Sequence, residues 1–202
     1  MAYLALIRHG ESEWNAKGFW TGLVDIELSK KGREEAKKAA TLIKDINFDT
    51  AYTSVLRRAI ETLDEIKKIL KIKDVPVYKD KALNERDYGD LTGKDKWKIK
   101  EEYGQEQFLK WRRGWDYPIP NGETLKDVYN RVIPYYQNEI LPKLKAGKNV
   151  LVSAHGNSLR ALIKYLDNIS DKDVSNLEIQ TGQIYLYQVN DQGKIISKEI
   201  RG

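Results

Sequence analysis

Tyr3-Leu4-Ala5-Leu6-Ile7, running straight into Arg8-His9-Gly10-Glu11-Ser12, is the stretch on which the fold turns. A short apolar run closed by charge and a glycine fits a buried strand best, and this one delivers Arg8-His9-Gly10 at its C-terminal end. Downstream, Ser29 is placed to cap a helix, with Glu34 and Glu35 in its first turn. Ala36, Ala39, Ala40 and Ile43 then recur at helical spacing to about Ile46. Residues 49–53 resemble a second strand, and Val55, Ala59, Leu63, Ile66 and Leu70 mark another amphipathic helix. The order is strand, helix, strand, helix.

The rest of the chain extends this pattern. Val75-Pro76-Val77 reads as a short strand, after which residues 83–122 lose clear periodicity and collect aromatics, charges and glycines, as expected of an insertion covering the sheet. Residues 123–145 read as a helix that Pro134 and Pro142 should kink or split. Residues 149–153 form a strand feeding Ala154-His155-Gly156-Asn157-Ser158, and residues 159–166 continue as a helix. Strands over 183–189 and 194–200 flank Asn190-Asp191-Gln192-Gly193, a hairpin signal. The sum predicts an α/β fold, a mainly parallel sheet with helices on both faces and an antiparallel edge, in one domain over residues 1–202.

Composition narrows the function classes. The chain has no cysteine, which rules out disulfides, thiolate zinc sites and a thiol nucleophile. No apolar run approaches the roughly 20 residues of a membrane span, and the first one is far too short for a signal peptide, so a cytoplasmic protein is expected. A net charge of +5 favours anionic partners in general. Its lysines are dispersed and no nucleic-acid module is present, so the charge reads as a solvated surface rather than a nucleic-acid interface.

There are 2 histidines, and both follow strands in matching contexts, Arg8-His9-Gly10 and Ala154-His155-Gly156. Ligands of open parallel sheets bind outside the carboxyl ends of the strands, so both imidazoles can face one ligand. The companions are arginines: Arg8 beside His9, and Arg57-Arg58 after the second strand. Guanidinium forks match phosphate oxygens, whereas a metal site tolerates cations poorly; an anion is expected and a metal is not. Phosphoryl transfer needs an in-line nucleophile and positive charge over the equatorial oxygens. His9 and the arginines supply both, provided the imidazole is neutral with its other N–H held by a carbonyl or equivalent acceptor. His155 is suited to hydrogen-bond the transferring group. The alcohol or water needs a proton carrier as well, a carboxyl group of raised pKa near the anionic ligand; Glu85 is one candidate, with Asp87 and Glu11 as alternatives.

Arg8-His9-Gly10-Glu11-Ser12-Glu13-Trp14-Asn15 with Thr21-Gly22 resembles the signature of the histidine phosphatase superfamily, in its phosphoglycerate mutase branch. The similarity extends through Tyr52 to Ala59, Leu83 to Gly89, Leu91 to Lys96, Trp111 to Gly114 and His155 to Leu166, in order along nearly the whole chain. The resemblance implies a phosphoglycerate mutase-like fold and interconversion of 3- and 2-phosphoglycerate, with 2,3-bisphosphoglycerate as priming phosphoryl donor and no metal. By the same resemblance His9 is the phosphohistidine, Glu85 the proton carrier and His155 the transition-state stabiliser, while Arg8 and Arg58 clamp the phosphoryl group. The implied ligand contacts are Arg8, His9, Gly10, Glu11, Ser12, Glu13, Trp14, Asn15, Thr21, Gly22, Arg58, Glu85, Arg86, Asp87, Tyr88, Lys96, Arg112, Arg113, Gly156 and Asn157. Lys96, Arg112 and Arg113, in the covering insertion, would hold the second anionic end of a phosphoglycerate. The implied partners are small phosphoglycerates, and a homo-oligomer is compatible with the resemblance. Two departures stand out: residues 115–123 make a shorter connection than in the longer mutases, with Asn121-Gly122-Glu123-Thr124 closer to phosphatase relatives, and little tail follows the last strand. Both point to a pocket more open to water, and to a phosphohistidine-dependent phosphomonoesterase as the alternative activity.

Overall fold

The computed structural model describes residues 1–202. Strand β1 (Ala2–Arg8) lies inside the sheet, in parallel with β4 (Val150–Ala154) on one side and antiparallel to β5 (Ile184–Val189) on the other. β2 (Thr50–Thr53) and β3 (Val77–Lys79) extend the parallel half beyond β4, and β6 (Ile195–Arg201) closes the antiparallel edge, giving the order β3-β2-β4-β1-β5-β6. The third strand starts at Val77, where Val75-Pro76-Val77 was expected; Pro76 instead stands outside the strand and offers its carbonyl to Ala51 N–H, consistent with proline's lack of a donor.

Side chains of β1 alternate between two cores, as strand geometry requires. Leu4 and Leu6 join Tyr52, Val150, Val152 and Tyr187 beneath α5 (Leu125–Tyr135) and α7 (Gly156–Leu166). Ala5 and Ile7 join Ala51, Leu151, Ile184 and Leu186 beneath α2 (Lys30–Thr41) and α3 (Arg57–Leu70). Ser29 caps α2, its hydroxyl accepting from Gly32 N–H, and because the helix starts at Lys30 its first turn holds no acidic residue: Glu34 and Glu35, expected there, lie beyond it. Past α5 the predicted break at Pro134 is realised as a π turn over Tyr136–Ile140, followed by the short α6 (Leu141–Lys145), which carries Pro142 in its first turn.

The insertion is more regular than its sequence suggests. Lys96–Arg113 forms α4, kinked at Gly104, whose φ of 81° and ψ of 164° lie outside the helical region. The kink interrupts the helical period, and aromatic residues stand on the outer face, Trp97 among them, so no single apolar stripe is legible. Inside, Trp20, Leu91, Ile99, Phe108 and Ile119 make a small core of their own. That core seats the insertion over the carboxyl ends of β1, β2 and β4, where α1 (Glu13–Ala16) also lies.

Candidate active site

His9 follows β1 and is 2% exposed. Its Nδ1 lies 2.6 Å from the Gly10 carbonyl oxygen, which can only accept, so Nδ1 carries the hydrogen and Nε2 is left unprotonated. Burial, then Arg58 and Arg8, hold its pKa well below the ordinary 6.5, so the ring is neutral at physiological pH. His155, at the N-cap of α7, is fully buried with its ring centroid 4.9 Å from that of His9. Its Nε2 lies 2.7 Å from Ser54 Oγ, an oxygen that accepts from Leu56 N–H and has its own hydrogen to give, while Nδ1 has no partner in the protein. His155 too is kept neutral, by burial first and then by Arg58 and His9.

The cations arrive from several elements. Arg58, near the start of α3, is 1% exposed and donates to the carbonyls of Val24 (2.9 Å) and Gly22 (2.8 Å), so it shapes the loop after α1 while facing the cleft. Burial lowers its pKa to about 10, which leaves it charged at neutral pH. Arg8 donates to the Ile179 carbonyl at 2.6 Å, and its buried Nε has no partner. Lys96, at the start of α4, has its pKa lowered to about 8, by burial first and then by Arg112 and Arg8.

Glu85 supplies the negative charge. Its Oε1 accepts from Arg86 N–H (2.7 Å), Asn157 N–H (3.2 Å) and Asn157 Nδ2 (2.9 Å), and its other oxygen lies beside Gly156. A raised carboxyl pKa is expected beside an anionic ligand; among the protein's own groups it is lowered. Burial is the largest influence and pushes it up. The hydrogen bonds from Arg86 and Asn157 and the fields of Arg58 and Arg8 together outweigh that push.

Arg8, His9, Asn15, Thr21, Gly22, Arg58, Glu85, Tyr88, Lys96, Arg112, Gly156 and Asn157 line one cleft, together with Trp20 and Arg160. His155, in ring contact with His9, is not among the residues of the wall. The other expected contacts sit outside the cleft and have structural partners. Gly10 lies so close to α2 that a Cβ there would come 2.2 Å from Gly32 O. Glu11 accepts from Ser29 Oγ and Lys31 Nζ, Ser12 caps α1, Glu13 is exposed and Trp14 packs edge-on to Phe19. Arg86 donates to the carbonyls of Trp111 and Arg112 at the end of α4 and lies over the Tyr88 ring, Asp87 accepts from Gly89 N–H, and Arg113 pairs with Glu178.

Three residues join the site that sequence reasoning did not single out. Arg160 stands one helical turn after Asn157 on α7 and donates to its Oδ1 at 2.7 Å, a spacing that could have revealed it. Ser54 touches His155 because β2 neighbours β4, and Trp20 reaches the wall through the core of the insertion. Neither adjacency is written in local sequence. Nowhere do three or more His, Cys, Asp or Glu side chains cluster as a metal site would need.

The arrangement can do one kind of chemistry well: a neutral imidazole faces an anion cradle with a single buried carboxylate beside it. Comparison with known proteins agrees, since residues 4–199 match the model of the histidine phosphatase superfamily, branch 1. The chain belongs to the histidine phosphatase superfamily. Among curated relatives, the 2,3-bisphosphoglycerate-dependent phosphoglycerate mutase of Bradyrhizobium diazoefficiens is 48% identical over 197 residues, covering 96% of this chain and 95% of its own length. That of Chelativorans sp. is also 48% identical, covering 98% and 97%. Among solved structures, a mycobacterial glucosyl-3-phosphoglycerate phosphatase complexed with VO3 superposes with a TM-score of 0.85 at 23% identity, covering 100% and 98%, which bears on the fold alone. The α-ribazole phosphatase of Shigella flexneri gives 0.79 at 27% identity, covering 98% and 94%. Superfamily members named as mutases therefore exist at this chain's length, so the short connection over 115–123 is not by itself a mark of a phosphatase.

Proposed function

We propose that this superfamily member is a 2,3-bisphosphoglycerate-dependent phosphoglycerate mutase, interconverting 3- and 2-phosphoglycerate through a phosphohistidine at His9, with its 202 residues acting as one catalytic domain. The observation that carries the reading is the His9 ring, neutral and locked by Gly10 with Nε2 free, among Arg8, Arg58 and Lys96. The similarity to named mutases over nearly the whole chain supports it.

In the priming step His9 Nε2 attacks a phosphorus of 2,3-bisphosphoglycerate; the N–P bond forms as the P–O bond breaks, and Glu85 gives the leaving oxygen its proton. When 3-phosphoglycerate is bound, its 2-hydroxyl attacks the phosphohistidine, Glu85 takes the hydroxyl proton, and the N–P bond breaks. The bisphosphate so formed turns over in the site, returns its other phosphoryl group to His9 and leaves 2-phosphoglycerate. Arg8 and Arg58 provide the positive field for the transferring oxygens, and His155 is assigned a hydrogen bond to them, which requires the tautomer whose Nε2 accepts from the Ser54 hydroxyl and whose Nδ1 carries the hydrogen. Lys96 and Arg112 hold the far anionic end. The cations in the wall supply the charge that a magnesium ion supplies elsewhere, so no step here calls on a metal. The activity belongs to glycolysis and gluconeogenesis and suits a cytoplasmic enzyme; no helix is long and apolar enough to cross a membrane.

The test is transfer of radiolabel from 2,3-bisphosphoglycerate onto the protein, followed by chase with 3-phosphoglycerate. Label should appear on His9, leave on the chase, and be absent from His9→Ala. An enzyme that isomerises phosphoglycerate at full rate as His9→Ala overturns the proposal. The phosphomonoesterase reading draws on the phosphatase names of solved neighbours. Release of inorganic phosphate in excess of isomerisation would favour it.

A further inference from the structure

Outside the cleft, one guanidinium has every hydrogen engaged around the backbone that carries Glu85. Arg131, on α5, donates from Nη1 to the carbonyls of Ala82 (2.7 Å) and Asn84 (3.0 Å), and from Nη2 to the carbonyl of Glu85 itself (3.0 Å). Its Nε and Nη2 also fork onto the two carboxylate oxygens of Glu123, each at 2.9 Å. An arginine has five N–H hydrogens, and these contacts match them one for one. Glu123 then reaches past Glu85 in the other direction: its Oε2 accepts from Asp87 N–H at 2.9 Å, and its own N–H donates to the Asp87 carbonyl at 2.9 Å. The peptide on either side of Glu85 is thus gripped from α5 and from the last residue of the short connection. Nothing in the chemistry of phosphoryl transfer requires either residue, for neither lines the cleft.

We propose that Arg131 and Glu123 are positioning residues for the proton carrier, holding the Glu85 backbone so that its carboxyl stays within reach of the leaving or attacking oxygen. The inference rests on the mutase reading. The Glu85 carboxylate accepts at one oxygen from Arg86 N–H, a neighbour in the same gripped segment, and from Asn157 on α7. Displacing that segment therefore draws the carboxyl off Asn157 and out of its place in the cleft. Arginine is required because a lysine ammonium cannot fork to a carboxylate while meeting three carbonyls in one plane. The short connection gains a purpose on this view: it ends where Glu123 can brace the segment.

The test exploits leaving groups. Phosphorylation of His9 by 2,3-bisphosphoglycerate expels an alkoxide that needs the Glu85 proton; phosphorylation by p-nitrophenyl phosphate expels a phenolate that leaves without one. Formation of labelled phosphohistidine in a single turnover is measured with both donors for the wild type, Arg131→Gln, Glu123→Gln and Glu85→Gln. A displacement of about 1 Å can cost about 100-fold, so Arg131→Gln should slow the reaction with the bisphosphate by roughly 30- to 100-fold and the nitrophenyl reaction by less than about 3-fold, sharing the donor selectivity of Glu85→Gln. Glu123→Gln, which keeps its shape and one acceptor, should show the same selectivity at smaller size and remain folded if Arg131→Gln does not. Equal slowing of both donors in folded Glu123→Gln and Arg131→Gln, or no slowing at all, overturns the positioning role. A wild type labelled by neither donor overturns the mutase reading instead.

Discussion

Acidification should destabilise this protein through its two histidines, and the size of the effect follows from their burial. Both rings are neutral in the fold with pKa values far below 6.5, the value they regain on unfolding. The folded state then binds fewer protons than the unfolded one. Stability is fully present above pH 6.5 and is lost as pH falls through that value. Each group contributes up to about 1.4 kcal/mol per pH unit below its unfolded pKa, and with side chains so nearly inaccessible no discount for solvent screening applies. Between pH 7 and pH 5.5 the pair should cost about 2.5 kcal/mol. The carboxylates held low by their partners, Glu85, Asp127 and Asp45, titrate below this window, and Lys96 above it. Urea denaturation at both pH values, for the wild type and for His9→Asn with His155→Asn, isolates the term. Wild-type stability should fall by about 2.5 kcal/mol more than that of the double variant. Parallel losses in the two proteins would refute the claim that these imidazoles are buried uncharged.

Three further outcomes follow from particular contacts. Lys96 has a pKa of about 8 in the ligand-free protein, so affinity for phosphoglycerates should weaken as pH rises through 8 and the ammonium is lost. Lys96→Met should raise KM by roughly 10- to 100-fold at pH 7 and abolish that alkaline limb in KM against pH. Ser54→Ala leaves His155 Nε2 and Leu56 N–H without their buried partner and should cost about 2 kcal/mol of stability and about 10-fold in kcat with KM nearly unchanged, read by denaturation and steady-state isomerisation. Gly32→Ala should destabilise although alanine is the better helix former, because its Cβ would sit 2.0 Å from the Glu11 carbonyl oxygen; a thermal melt should show a loss of about 2 kcal/mol or more, and a gain would show the contact to be soft.

What the sequence disclosed and what it concealed divide along a physical line. Strands such as β1 and helices such as α3 carry their own apolar period, so their positions were legible, and with them the placing of His9 and His155 at strand ends. The carbonyl that locks His9 belongs to the adjacent residue, so the need for such an acceptor could be stated in advance. Contacts that depend on strand order could not. Ser54 meets His155 only because β2 lies next to β4, and Arg131 meets Glu85 only because α5 packs across the insertion's root. The family-like run from Arg8 to Asn15 also mixes two kinds of residue: Arg8, His9 and Asn15 face the cleft, whereas Gly10, Glu11 and Ser12 build the turn that aims them.

The direction of the Glu85 shift bears on mechanism. A raised pKa is expected beside an anionic ligand; among the protein's own groups burial pushes the carboxyl up, while three hydrogen bonds and the guanidiniums of Arg58 and Arg8 bring it down. Those same guanidiniums depress His9. One set of charges therefore acts with burial to keep the proposed nucleophile deprotonated and with the hydrogen bonds to keep the proposed proton carrier ionised. An arriving phosphoryl group neutralises the set, and both pressures relax together. Glu85, beside the new negative charge, then gains affinity for the proton that the proposed mechanism has it give to the leaving oxygen. His9 cannot lose its lone pair to that proton as readily, because burial is the largest influence on its pKa and remains when the cations are screened. The proton is thus steered to the carboxyl and away from the attacking nitrogen by the difference in what holds each group.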